Sequence, residues 1–211
     1  MLQKATITVF VQALGWAAAI CGASVALPQV LRLLGTSTTK GVSLLAWQLA
    51  IAANIAWTTH GVLTAHSNVW VPNLILFFCS VLILLQIGRD RRIGLLKLFG
   101  PGVLLGVATI GIDLTVGPVA FAVAAFLPSA FAQLAQFQDL VLAPNIRGVS
   151  MPFLIMSVIN QALWLGWSVL AGEVSIILCA ASLGAMMTAN LVWALLRSRR
   201  LVRARLAMMY A

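Results

Sequence analysis

Charge is what this sequence has least of. Its 211 residues include four acidic and 13 basic side chains, and charged residues make up 8% of the chain. A water-soluble domain needs roughly a quarter of its residues charged to cover its surface, so a soluble globular domain is excluded. Cysteine is also sparse. Cys21, Cys79 and Cys179 lie far apart inside apolar stretches, with no CxxC pair and no histidine at ligand spacing. That pattern excludes a disulfide framework or a zinc site, and no metal or cofactor is expected. No paired carboxylates and no Ser/His/Asp set share one depth, so the chain is not expected to be an enzyme.

What the sequence has in excess is apolar length. Hydrophobic residues form 62% of the chain and mean hydropathy is +1.06. Runs near 20 residues recur, enough to cross about 30 Å of hydrocarbon as helices. Seven spans are predicted: 6–34, 42–63, 69–87, 95–114, 116–142, 151–170 and 174–196. The first could be mistaken for a signal peptide, with Lys4 as its basic flank and Ala17-Ala18-Ala19 as a cleavage lure. Its apolar run continues through Leu27, longer than a signal core, so it reads as a retained span.

Basic residues set the predicted orientation. With the amino terminus outside, the inward loops hold Arg32 and Lys40, then Arg89, Arg91, Arg92 and Lys97, then Arg147. The inward tail holds Arg197, Arg199, Arg200, Arg203 and Arg205, so only Lys4 of the 13 lies outside. This is positive-inside asymmetry, and it requires an odd span number and a cytoplasmic carboxyl terminus. The net charge of +9 then reflects loops and contact with anionic lipid headgroups, not nucleic acid.

The chain also repeats itself at a shift of 107 residues. Leu27-Pro28-Gln29 meets Leu134-Ala135-Gln136, and Lys40-Gly41-Val42-Ser43 meets Arg147-Gly148-Val149-Ser150. Asn54 meets Gln161, Trp57 meets Trp164, and Val62-Leu63 meets Val169-Leu170. Three spans invert a chain, so a fourth must restore direction before the second copy begins. The result is two parallel triple-helix bundles with a linker helix between them. The segments are 1–88 for the first repeat, 89–115 for the linker, 116–197 for the second repeat and 198–211 for the basic cytoplasmic tail. The linker carries Gly102 and Gly106 at GxxxG spacing, which predicts close helix packing.

Leu27-Pro28-Gln29 before Lys40-Gly41-Val42-Ser43 resembles a PQ-loop. With Trp57 and Pro72-Asn73, the chain resembles the SWEET and SemiSWEET sugar transporters over about residues 6–197. The resemblance implies a seven-helix 3+1+3 fold and a central sugar pocket framed by a Trp and an Asn from each repeat. It also implies an inner hinge or gate at the Pro-Gln regions, and passive alternating access. Carried over, the pocket residues are Trp57, Asn73 and Trp164, and the gate residues are Pro28, Gln29 and Gln136. The second repeat departs twice. Ala135 replaces the motif proline, and a two-residue deletion after Gly172 places Leu178, beside Cys179, where the second Asn should be.

The residues also speak without the family. Asn54 and Trp57 share a helix face, as do Asn160, Trp164 and Trp167, with Gln161 alongside. Amides facing lipid are costly, so Asn54, Asn160 and Gln161 should face the bundle interior or a watered cavity. There they either join the pocket or act as glue between helices. Indoles stack on the C–H faces of sugars, and amides offer donors and acceptors to hydroxyls. Pro128, at mid-depth of the fifth span, is a candidate kink and hinge. Asp90 and Asp139 fall at inner ends, Asp113 and Glu173 at outer ends, and His60 and His66 near the outer face as interfacial imidazoles. With no titratable group expected at mid-membrane, transport should be passive.

The leading expectation is a SWEET-like carrier of a mono- or disaccharide in the inner or plasma membrane, in contact with membrane lipid. A PQ-loop carrier of another small polar solute, such as an amino acid, is the alternative. A non-transporting receptor or scaffold using the basic tail is the other, and a homo-oligomer is left open.

Overall fold

A computed structural model describes the backbone of residues 2–35, 39, 42–142 and 149–209, and side chains within 8–24, 31, 35, 39, 42–142 and 149–199. Lys40, Gly41, Arg147 and Gly148 lie outside the described residues, as do the side chains of Pro28 and Gln29. The described chain is all α-helical. Its elements are α1 (Leu2–Leu34), α2 (Leu44–Leu63), α3 (Ser67–Arg91), α4 (Leu95–Thr115), α5 (Pro118–Leu142), α6 (Met151–Ala171) and α7 (Val174–Met209). Helices α3 to α7 are long and apolar enough to cross a membrane. The described apolar part of α1, Thr8–Ser24, is shorter. Helix α2 carries Gln48, Asn54 and His60, all buried, which lowers its hydropathy. Large apolar side chains face outward around the helices, including Leu96, Leu104, Leu114 and Phe131, a distribution suited to lipid rather than water.

The sequence repeat has a structural counterpart. Ser43 accepts a hydrogen bond from the Ala46 amide at 3.2 Å, and Ser150 accepts one from the Phe153 amide at 3.3 Å. Each serine satisfies an otherwise unpaired N–H at a helix start, so α2 and α6 begin at corresponding positions, as do α3 and α7. The deletion after Gly172 is therefore corrected: the register stays gapless to Val174. Gly172, at φ +76, takes up the left-handed turn without any change of chain length.

Helices α1 and α2 both pack on α3, and α5 and α6 both pack on α7. Contact between these groups runs mainly through α1 and α6, while α4 touches both α2 and α5. One apolar core (Ile51, Ile83, Leu84, Ile87, Leu98) joins α2, α3 and α4, and another (Leu140, Leu154, Ala194) joins α5, α6 and α7. Gly102 and Gly106 fit α4 against α2, where added Cβ atoms would meet Gln48 O at 2.5 Å and Ile55 Cβ at 3.0 Å.

Pro101 lies inside α4, and its missing N–H cannot reach the carbonyl of Lys97 four residues earlier. The Gln48 side-chain amide supplies the replacement, donating to Lys97 O at 2.8 Å and Leu98 O at 3.0 Å. Gln48→Leu should therefore cost about 1–3 kcal/mol by leaving a buried carbonyl unmet. Thermal unfolding of the purified variant in detergent checks this; an unchanged midpoint would refute the assignment.

The last turn of α3 holds Thr39 and Val42, ahead of α2. Thr39 donates to Asp90 Oδ2 from its amide (3.0 Å) and its hydroxyl (2.5 Å). Arg91 donates to the carbonyls of Thr39 and Val42 at 2.7 and 2.6 Å. At the corresponding end of α7, Arg197 reaches Leu140 O and Val141 O.

Candidate functional site

A cavity of about 250 Å³ lies among α1, α2, α3, α6 and α7. Trp57 comes from α2, Asn73 from α3, and Gln161 and Trp164 from α6, so four expected pocket residues share one space. Small residues of α1, Ala19, Gly22 and Ala23, leave the room. The walls from α3 and α7 match position for position under the 107-residue shift: Val69 with Ile176, Pro72 with Cys179, Asn73 with Ala180, and Leu76 with Leu183. The residue opposite Asn73 is therefore Ala180, and Leu178 is exposed. The second repeat still contributes wall, but with a methyl group where an amide was sought.

Each indole is held by its neighbours. Trp57 packs edge-on against Phe121 (5.0 Å between ring centroids) and His60 (5.7 Å). Trp164 packs edge-on against the fully buried Trp167 at 5.7 Å. Val69, Trp167 and Ile176 form a core against which both Trp57 and Trp164 lie. The Asn73 amide donates to Val69 O at 2.8 Å, leaving its carbonyl oxygen as the acceptor of the pair. Pro72, the sixth residue of α3 rather than part of its first turn, lies beside it. Among the described residues, the cavity lining contains no charged side chain.

Other expected site residues lie elsewhere. Asn54 is buried between helices and donates to Ser80 Oγ at 3.2 Å, because α3 packs on that side of α2; it is glue, not lining. Asn160 is absent from the wall. It packs over Gly22, whose added Cβ would lie 3.3 Å from Asn160 Oδ1. Pro128 lines a second, largely apolar cavity of about 280 Å³ among α2, α4 and α5, and α5 is helical on both sides of it. Gln136 is half-buried on α5 and lines neither cavity, so it does not floor the site. Gln133 is the glutamine tied to α7, accepting from Asn190 at 2.8 Å. Pro28 and Gln29 fall within helical α1, with their side chains outside the described residues.

The histidines correct a further expectation. His60 is 2% exposed, and its Nδ1 lies 2.7 Å from Asp113 Oδ2. Its Nε2 lies 3.5 Å from Glu173 Oε2, and His66 Nδ1 lies 3.3 Å from Glu173 Oε1. No local spacing announces this cluster, since its members come from four separate parts of the chain.

One comparison with known proteins adds to this geometry. Residues 10–70 match the PQ loop repeat. The matched repeat runs from α1 through α2 into α3, contains Trp57, and stops three residues before Asn73. With five membrane-length helices among the described residues, the protein is a multi-pass membrane protein, and the repeat points to the carrier class. No curated protein matches the chain.

Proposed function

We propose that the protein is a SWEET-like carrier that moves a neutral sugar across the membrane by passive alternating access. The observation carrying this reading is the cavity itself: two indoles in phase with the internal repeat, beside Asn73 and Gln161, with no charge among the described lining residues. An amino acid would bring an ammonium and a carboxylate into a low-dielectric space without counter-charges, which is strongly unfavourable. A sugar brings only hydroxyls and C–H faces, which amides and indoles satisfy. The limited volume favours one sugar ring over two.

The proposed frame is the 3+1+3 arrangement of two parallel triple-helix bundles, with α4 as linker. It is supported by the position-for-position walls and by contact between His66 and Glu173, which occupy corresponding places in the two repeats. Equivalent points touch only near the axis relating them. The amino terminus is placed outside, and the α2–α3 and α6–α7 turns with it, by the basic loops at the other end.

Purified protein in liposomes should take up radiolabelled glucose saturably and faster than sucrose, and collapse of the proton gradient should not change the level of uptake reached at equilibrium. Uptake of amino acids but no sugar would move the assignment to another solute. Loss of all flux in correctly inserted protein would favour a receptor or scaffold.

A further inference from the structure

The α2–α3 and α6–α7 turns carry a cluster that the sugar reading does not use. His60 is enclosed, stacked on Phe121 at 4.4 Å and edge-on to Trp57. Its two ring nitrogens face carboxylates from different elements: Asp113 at the end of α4, and Glu173 in the turn before α7. His66, preceding α3, also faces Glu173 and contacts the Thr64 hydroxyl at 3.1 Å. Among the described residues, no Lys or Arg pairs with either carboxylate, and no group of acidic, His or Cys side chains is arranged to hold a metal ion.

A neutral imidazole has one N–H. When that N–H serves Asp113 at 2.7 Å, the lone pair of Nε2 points toward the Glu173 carboxylate. The arrangement leaves His60 Nε2 without a hydrogen-bond partner. A second proton changes the sign of that contact and places one cation between two anions. We propose that His60 is a proton-binding latch: its imidazolium ties α2 to α4 and to the α6–α7 turn, and holds this end of the bundle shut over the cavity. Loss of the proton leaves Nε2 facing Glu173 across a repulsive contact, and this end opens. The adjoining seam suits such an opening. Asn68 and Ser175, at corresponding positions of the two repeats, keep buried polar atoms without partners, which entering water would satisfy.

The imidazolium sits between its two carboxylate partners in the closed arrangement and parts from one of them in the open one. By linkage, falling pH therefore shifts the population toward closed, and rising pH shifts it toward open. The cluster is not part of the cavity wall, so the proton sets access and is not carried with the solute. This latch rests on the alternating-access reading for its purpose, but its test needs no solute. Failure of sugar flux and failure of the latch are thus separate results.

The test uses purified protein in detergent with Cys21→Ala and Cys79→Ala, leaving Cys179 in the cavity wall. Its alkylation rate with a charged maleimide is followed between about pH 5 and pH 8. At each pH the rate is divided by that of the same protein carrying His60→Gln, which cancels the thiol's own ionisation. The ratio should fall on the order of tenfold from the alkaline to the acid end. Glu173→Gln lets a neutral Nε2 accept an amide N–H, so alkylation should be slow throughout. A flat ratio overturns the latch, as does Glu173→Gln retaining the native profile. A profile that disappears with His66→Gln overturns the assignment to His60.

Discussion

Trp57→Ala and Trp164→Ala should each lower flux of the proposed sugar roughly 30-fold in proteoliposomes. Truncating a tryptophan that anchors a ligand in a desolvated pocket costs about 2 kcal/mol or more, which corresponds to that factor. Both indoles line the cavity, and each is braced by aromatic neighbours that fix its plane. Bracing matters because a preordered ring loses little freedom when the solute arrives. Trp57→Phe and Trp164→Phe keep an apolar face and should retain part of the flux. Trp16→Ala is the control, since Trp16 lies on the exposed side of α1 and not in the cavity wall. Native flux in both alanine variants would place the solute path elsewhere.

Gly102→Val should lower stability by about 1–3 kcal/mol, the usual cost of forcing extra atoms into a packed contact. A Cβ at Gly102 would lie 2.5 Å from the backbone oxygen of Gln48, and backbone cannot swing aside as a side chain does. The same displacement would strain the Gln48 hydrogen bonds that cover the carbonyls near Pro101. Gly100 offers the contrast: its Cβ would meet only Leu96 Cδ1, at 3.6 Å. Gly100→Ala should therefore be neutral or slightly stabilising, since Ala is the better helix former. Equal unfolding midpoints for Gly102→Val and Gly100→Ala would show that α4 does not rest on α2 as described.

The long helices were legible because hydrocarbon permits few alternatives. A run such as 174–196 must satisfy its own backbone, and the structure makes it one helix that continues to Met209. Ser43 and Ser150, which the repeat pairs, prove in the structure to cap two helix starts, where a hydroxyl answers a free amide. Trp57 and Trp164 stood out through the repeat. The wall opposite Asn73 was not legible, because an alignment with a two-residue deletion after Gly172 places Leu178 there, whereas Gly172 turns the chain with the register intact. Applying the shift without a gap would have named Cys179 and Ala180.

Asn54 and His60 show where local spacing stops being informative. Both lie on α2 near Trp57, yet Asn54 meets Ser80 and His60 meets Asp113 and Glu173. A helix presents every direction within one turn, and only its neighbours decide which directions become cavity, glue or ion pair. The order of residues by itself determined an all-helical membrane protein with a repeating pattern of indoles and amides, because chain length in lipid and phase along the chain are one-dimensional quantities. The tertiary structure alone decided which polar groups meet, because contacts between different helices, such as Asn54 with Ser80 or His60 with Asp113, depend on how helices cross and on the depth at which each begins.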